Sequence, residues 1–122
     1  MLKTILLVGA GSALGGIARY VVSRWFQSLI PVAFPWGTFV VNVVGCFLIG
    51  LIYGLADRNF PLSPEMKVFM TVGFCGGFTT FSTFIHEGYL LFGTSNLTVI
   101  LYGVASLAAG LLCAHLGHFL VR

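Results

Sequence analysis

The chain's most unusual chemistry is concentrated in one run, Gly73-Phe-Cys-Gly76-Gly77-Phe-Thr79-Thr80-Phe81-Ser82-Thr83-Phe84, where adjacent glycines meet a row of hydroxyl and β-branched residues. Such residues are poor helix formers, yet the run lies inside an apolar stretch of spanning length. Two readings fit. In one, the helix breaks near Gly76-Gly77. The carbonyls freed at the end of the first half-helix then offer a cation site, and the N–H groups opening the next favour an anion. A break at membrane depth is tolerated only where protein or a water-filled cavity satisfies the backbone. In the other, the helix is continuous and the glycines serve packing. Asn42 stands in the middle of an uncharged stretch. An amide in lipid requires a partner, so it is either interhelical glue or a pore-lining donor. Phe81 and Phe84, three apart, share a helical face with Thr80. Aromatics at that spacing ordinarily face lipid or core. Their positive ring edges, set beside hydroxyls and an amide, can also replace the hydration shell of a small anion.

Other candidates carry less. His115 and His118 have helical spacing, but with only Cys113 near them in sequence they read as interfacial histidines rather than metal ligands. His86 beside Glu87 reads as a polar neighbour. No nucleophile, base and orienting group occur together, so the chain is not expected to be an enzyme. Cys46, Cys75 and Cys113 are isolated and odd in number, and read as small apolar side chains inside helices.

The elements that must position these residues follow from composition. Hydrophobic residues make up 58% of the 122 and charged ones only 7%, with a mean hydropathy of +1.04. A water-facing surface usually needs about 25% charged residues, so most of this surface must face lipid. The net charge of +3 is too thinly spread for a nucleic-acid patch. A spanning helix needs ~20 mostly apolar residues, and four such stretches occur, at about 4–25, 36–56, 66–92 and 97–121. Together they predict an all-α membrane protein with a single transmembrane domain over residues 1–122. Pro31 and Pro35 separate the first two spans, a polar loop from Asp57 to Glu65 precedes the third, and Gly93 to Asn96 form a turn before the fourth. The N-terminal apolar run continues past Ala18 at spanning length, which argues against a signal peptide. The glycines of Gly9 to Gly15 imitate a dinucleotide-binding loop, but the next acidic residue is Asp57, too distant for that motif. With an even number of spans, Lys3, Arg58, Lys67 and Arg122 fall on one side and Arg24, with Arg19, on the other, a weak orientation bias. Gly11/Gly15, Gly50/Gly54 and Gly73/Gly77 have the four-residue spacing of close helix approach.

Three stretches together resemble the Fluc/CrcB family of fluoride channels: Gly11-Ser-Ala-Leu-Gly15-Gly16-Ile-Ala-Arg19-Tyr20, Gly37-Thr38-Phe-Val-Val-Asn42-Val-Val-Gly45, and the third-span run extended through His86-Glu87. The resemblance implies a passive fluoride exporter in a bacterial-type inner membrane. It further implies an antiparallel, dual-topology homodimer with two narrow pores along its interface. On the matching motifs, Asn42 corresponds to the pore asparagine, Phe81 and Phe84 to the aromatic pair whose edges contact fluoride, and Ser82 and Thr83 to hydroxyls beside the path. The resemblance also implies a structural sodium ion on the dimer axis, held by backbone carbonyls placed at Gly76 and Thr79. Arg19 corresponds to a first-span arginine and Glu87 to the acidic residue after the motif, in structural or gating roles. A polar track on the fourth span is met by Tyr102 and Ser106, while Gly110 falls where a third hydroxyl would be useful. The competing reading there is a packing helix with a snorkelling tyrosine.

Two other functions remain to be weighed. A small four-helix proton-coupled drug antiporter needs an ionisable group deep in the membrane, and the one acidic candidate, Glu87, lies late in its span. A non-transporting assembly subunit would explain the glycines but not the polar cluster from Thr79 to Thr83.

Overall fold

The computed structural model describes residues 1–32 and 34–121. Arg122, one of the charges counted above, lies outside them. Among the described residues, four helical stretches are long and apolar enough to cross a membrane: Leu2–Leu29, Trp36–Asp57, Pro64–Phe92 and Asn96–Val121. We label the first α1, the second α2 and the last α6. The third is composite, with α3 (Pro64–Val68), a π-helical segment (Phe69–Cys75), α4 (Gly76–Phe78) and α5 (Ser82–Phe92) in succession. The chain is a multi-pass, all-helical membrane protein.

Local sequence sets the ends of these helices. Pro35 immediately precedes α2. At the other end of α2, Asn59 adopts φ 60°, a left-handed conformation that asparagine tolerates. Its own N–H donates to the Ala56 carbonyl and the Phe60 N–H to Leu55, both at 3.1 Å. This is the Schellman closure that satisfies orphan carbonyls at a helix end. Four residues later Ser63 caps α3, its Oγ accepting from the Met66 N–H at 3.1 Å, with Pro64 in the first turn.

Two pairs of helices are brought close by glycine. α1 packs along the π-helical segment and α4, and α2 packs along α6. A Cβ added at Gly11 would come within 2.6 Å of the Phe69 carbonyl oxygen and 2.9 Å of Gly73 Cα, and one at Gly77 within 2.5 Å of the Ser12 carbonyl. Gly11/Gly15 and Gly73/Gly77 therefore face each other as two small-residue stripes inside one chain. On the other pair, Gly50 sits against the backbone of Ala114, Gly54 against His118, and Gly117 against Phe47 and Leu51. Backbones in lipid associate by such close packing rather than by water exclusion.

The expected break at Gly76-Gly77 is misplaced. Gly76 is helical, at φ −62°, ψ −37°, and α4 runs through both glycines to Phe78. The interruption falls at Thr79–Phe81, where Thr79 turns to φ −85°, ψ 159°. Gly77 keeps its helical place against Ser12 and Gly16 of α1, where a side chain would not fit, and the change of direction passes to the β-branched residues that follow.

Candidate functional site

The site is built around the hydrogen bonds that the interruption reassigns. In an unbroken helix the Thr80 N–H would reach the Gly76 carbonyl, but here it donates to Asn42 Oδ1 at 2.8 Å. The Asn42 side-chain N–H in turn donates to the Thr80 carbonyl at 3.0 Å. Because the Thr80 N–H can only donate, the orientation of the amide is fixed by its partner. The Thr83 N–H, which would reach Thr79 in a continuous helix, donates to Thr80 Oγ1 at 3.3 Å and so caps α5. Arg19 Nε donates to the Gly77 carbonyl at 3.2 Å. Among the described residues, the carbonyls of Gly76, Phe78 and Thr79 are left without their helical donors, and Gly77 has exchanged its donor for a guanidinium. A cation at the end of a half-helix is favourably placed against its dipole. Arg19, given a structural or gating role by the resemblance, reaches the last turn before the interruption.

Asn42 thus acts as interhelical glue while also lining a groove. That groove, ≈ 290 Å³, is bounded by Asn42, Cys46, Thr79, Thr80, Phe81, Phe84, Ser106 and Leu107. Phe81 is 74% exposed on its rim. Its ring lies 6.0 Å from that of Phe84, tilted by 45°. Phe84 continues to Tyr102, at 4.9 Å between centroids, and Tyr102 to Phe34 at 5.2 Å, edge-on. Tyr102 is 1% exposed, so the snorkelling reading does not hold. Its phenol oxygen, the Ser106 hydroxyl and Glu87 Oε1 are buried without a hydrogen-bond partner among the described residues. A buried polar atom without a partner costs about 1–3 kcal/mol, so each of these atoms calls for a partner, an ordered water included.

The remaining expected residues divide. Gly76 and Thr79 share a second groove, ≈ 240 Å³, with Gly45, Cys46, Ile49, Thr71 and Cys75. Thr83 and Glu87 lie apart, in a polar cleft with Ser23, Arg24, Gln27, Gly37 and Thr38. The Thr38 hydroxyl approaches both the Glu87 carboxyl and the Tyr102 phenol without satisfying Glu87 Oε1 or Tyr102 Oη. Ser82 opens α5 as an exposed residue and is not among those lining the Asn42 groove. Far from these, His118 Nε2 stands 2.9 Å from Asp57 Oδ2, so it meets a carboxylate that the sequence places 61 residues away. Among the described residues no group of three or more metal-binding side chains forms.

Sequence reasoning assigned no site role to Thr38 or Cys46, and none to the Thr80 peptide. Thr38, Asn42 and Cys46 recur every four residues, a stripe along one face of α2. That spacing was the available signal. Thr80 stood out only as one hydroxyl of the Thr79–Thr83 cluster, since the role of its peptide depends on where the helix stops.

Comparison with known proteins identifies the family. A family model described as CrcB-like protein, Camphor Resistance (CrcB), matches residues 6–118. The fluoride-specific ion channel FluC of Azobacteroides pseudotrichonymphae genomovar. CFP2 is 43% identical over 123 aligned residues, covering 100% of this chain and 98% of the relative. The protein of the same name from Chlorobaculum tepidum is 45% identical over 126, covering 100% and 97%. That from Leptospira interrogans serovar copenhageni is 39% identical over 122, covering 98% and 95%. With the match running almost end to end, the chain belongs to the CrcB-like family.

Proposed function

We propose that this chain is a fluoride-selective ion channel of the bacterial inner membrane, letting cytoplasmic fluoride leave passively. Its full-length likeness to relatives named fluoride-specific ion channels supports the substrate. The observation that carries the reading is the groove wall itself, where the amide of Asn42, the rings of Phe81 and Phe84 and the unpartnered Ser106 hydroxyl lie along one surface. Fluoride is small and strongly hydrated, so a path must replace its water with many weak donors. Each must be favourable enough to admit the ion and weak enough to release it. No carboxylate lines this groove, which suits an anion and disfavours the proton-coupled antiporter. Glu87 belongs to the separate cleft with Arg24 and Thr38. Weak-acid chemistry makes passive export sufficient. Hydrogen fluoride enters neutral, dissociates inside, and the anion leaves down its gradient.

The groove is open on one side, and a single chain does not enclose it. We place a second, oppositely oriented copy there, so that two such walls border two pores. The carbonyls of Gly76 and Thr79 fit a structural sodium ion on the axis between the copies. Both have lost their helical donors, both residues border one groove, and unwound carbonyls at the end of a half-helix are suitable hard ligands. One chain supplies part of such a shell and its copy the rest. When bound, that sodium would supply a fixed positive charge joining the two interruptions.

Fluoride efflux from liposomes containing the purified protein tests the channel. Rapid fluoride release with chloride retained is expected. Absence of fluoride flux, or equal release of the two halides, overturns the reading.

A further inference from the structure

Ser106 is not the last residue of the polar row on α6. Tyr102, Ser106 and Gly110 recur at intervals of four, and the row ends on a glycine with no group to offer. What covers Gly110 is the thiol of Cys46. A Cβ placed at Gly110 would lie 3.3 Å from Cys46 Sγ, the one neighbour within 4 Å. Cys46 therefore fills, from α2, the space that a side chain at 110 would fill from α6. It also lies one helical turn beyond Asn42, borders the same groove as Asn42 and Ser106, and makes no hydrogen bond among the described residues. The Ser106 hydroxyl of the same groove is itself buried and unpartnered among the described residues, so the groove wall carries one uncommitted polar group from each of α2 and α6.

We infer that the Cys46 thiol is a further station of the anion path, donating its S–H where the fourth helix has no hydroxyl to give. The inference rests on the channel reading. A thiol is a weaker donor than a hydroxyl, and weakness is tolerable at a point the ion must also leave. The cysteine is then more than the small apolar side chain that composition alone suggests.

An exchange of residues between the two helices tests this by fluoride efflux from liposomes, each variant first checked for a monodisperse assembled species. Cys46→Val removes the donor and keeps the γ position filled, with one methyl group more, and Cys46→Ala removes it without added bulk. Each is expected to lower fluoride flux about tenfold, the factor corresponding to one hydrogen bond of roughly 1.4 kcal/mol. Cys46→Ser should match or exceed the unmodified protein. Gly110→Ser alone should impair flux by crowding Sγ, whereas Cys46→Ala with Gly110→Ser should recover most of what Cys46→Ala loses. Full flux in Cys46→Val or Cys46→Ala, or losses that add in the double variant instead of cancelling, would overturn the inference. An unmodified protein that passes no fluoride would instead remove the channel reading on which it stands.

Discussion

Asn42 spends both ends of its amide on one peptide, that of Thr80. This constrains what can replace it. Aspartate can accept from the Thr80 N–H but, ionised, has nothing to donate to the Thr80 carbonyl, and it adds a negative charge to an anion's wall. Asn42→Asp is expected to abolish fluoride efflux while leaving the protein assembled. Phe81→Ile keeps an apolar side chain on the groove rim but deletes the ring edge, and it too should abolish efflux. Retention of full flux by both would show that the groove is not the path. Asparagine in an uncharged span and phenylalanines beside hydroxyls were visible in the sequence because residue type alone makes them anomalous in lipid. Reading Asn42 as glue or as pore donor could not be settled there, since the choice depended on where Thr80 would come to lie.

At the scale of elements, the helices were legible and their joints were not. Hydropathy delimits spans because lipid imposes one length on all of them. It says nothing about winding, and so the π-helical segment and the exact place of interruption were hidden. The double glycine attracts attention as a breaker, but Gly77 is held helical against α1. The same trade governs the α2–α6 pair. Gly117 faces the backbone of Phe47 and Leu51, with a Cβ only 2.9 Å from the Leu51 nitrogen. Gly117→Leu should force these helices apart, and overpacking of this kind costs ~1–3 kcal/mol or more. A lower thermal midpoint of the detergent-solubilised protein, measured by loss of its monodisperse peak, is the expected outcome. An unchanged midpoint would mean that this contact does not hold the pair together.

For the whole molecule, the decisive feature is a groove with an open side. The exposed Phe81 ring, the unpartnered Ser106 hydroxyl and the carbonyls of Gly76 and Thr79 all lack something that the single chain does not provide. A second copy and a sodium ion are the completion proposed here. Replacing sodium by a bulky organic cation throughout purification and assay is expected to reduce fluoride flux and to loosen the assembly on size-exclusion chromatography. Indifference in both readouts would remove the ion from the proposal. The charges at the ends are of little help in fixing orientation. Lys3 pairs loosely with Glu65 at 3.9 Å, Lys67 lies over the Tyr53 ring at 5.0 Å, and Arg58 donates to the Val121 carbonyl at 3.2 Å. Exposed contacts of this kind contribute little energy, and no strong bias toward one face was there to be read.

The seven wide-wound residues from Phe69 to Cys75 act as a gear between the two halves of the third span. Were they to tighten into ordinary α winding at unchanged length, everything before them would turn by about 100° against everything after. Gly73 and Gly77 could not then both keep their seats on α1. Winding in this segment is therefore as constrained as its composition.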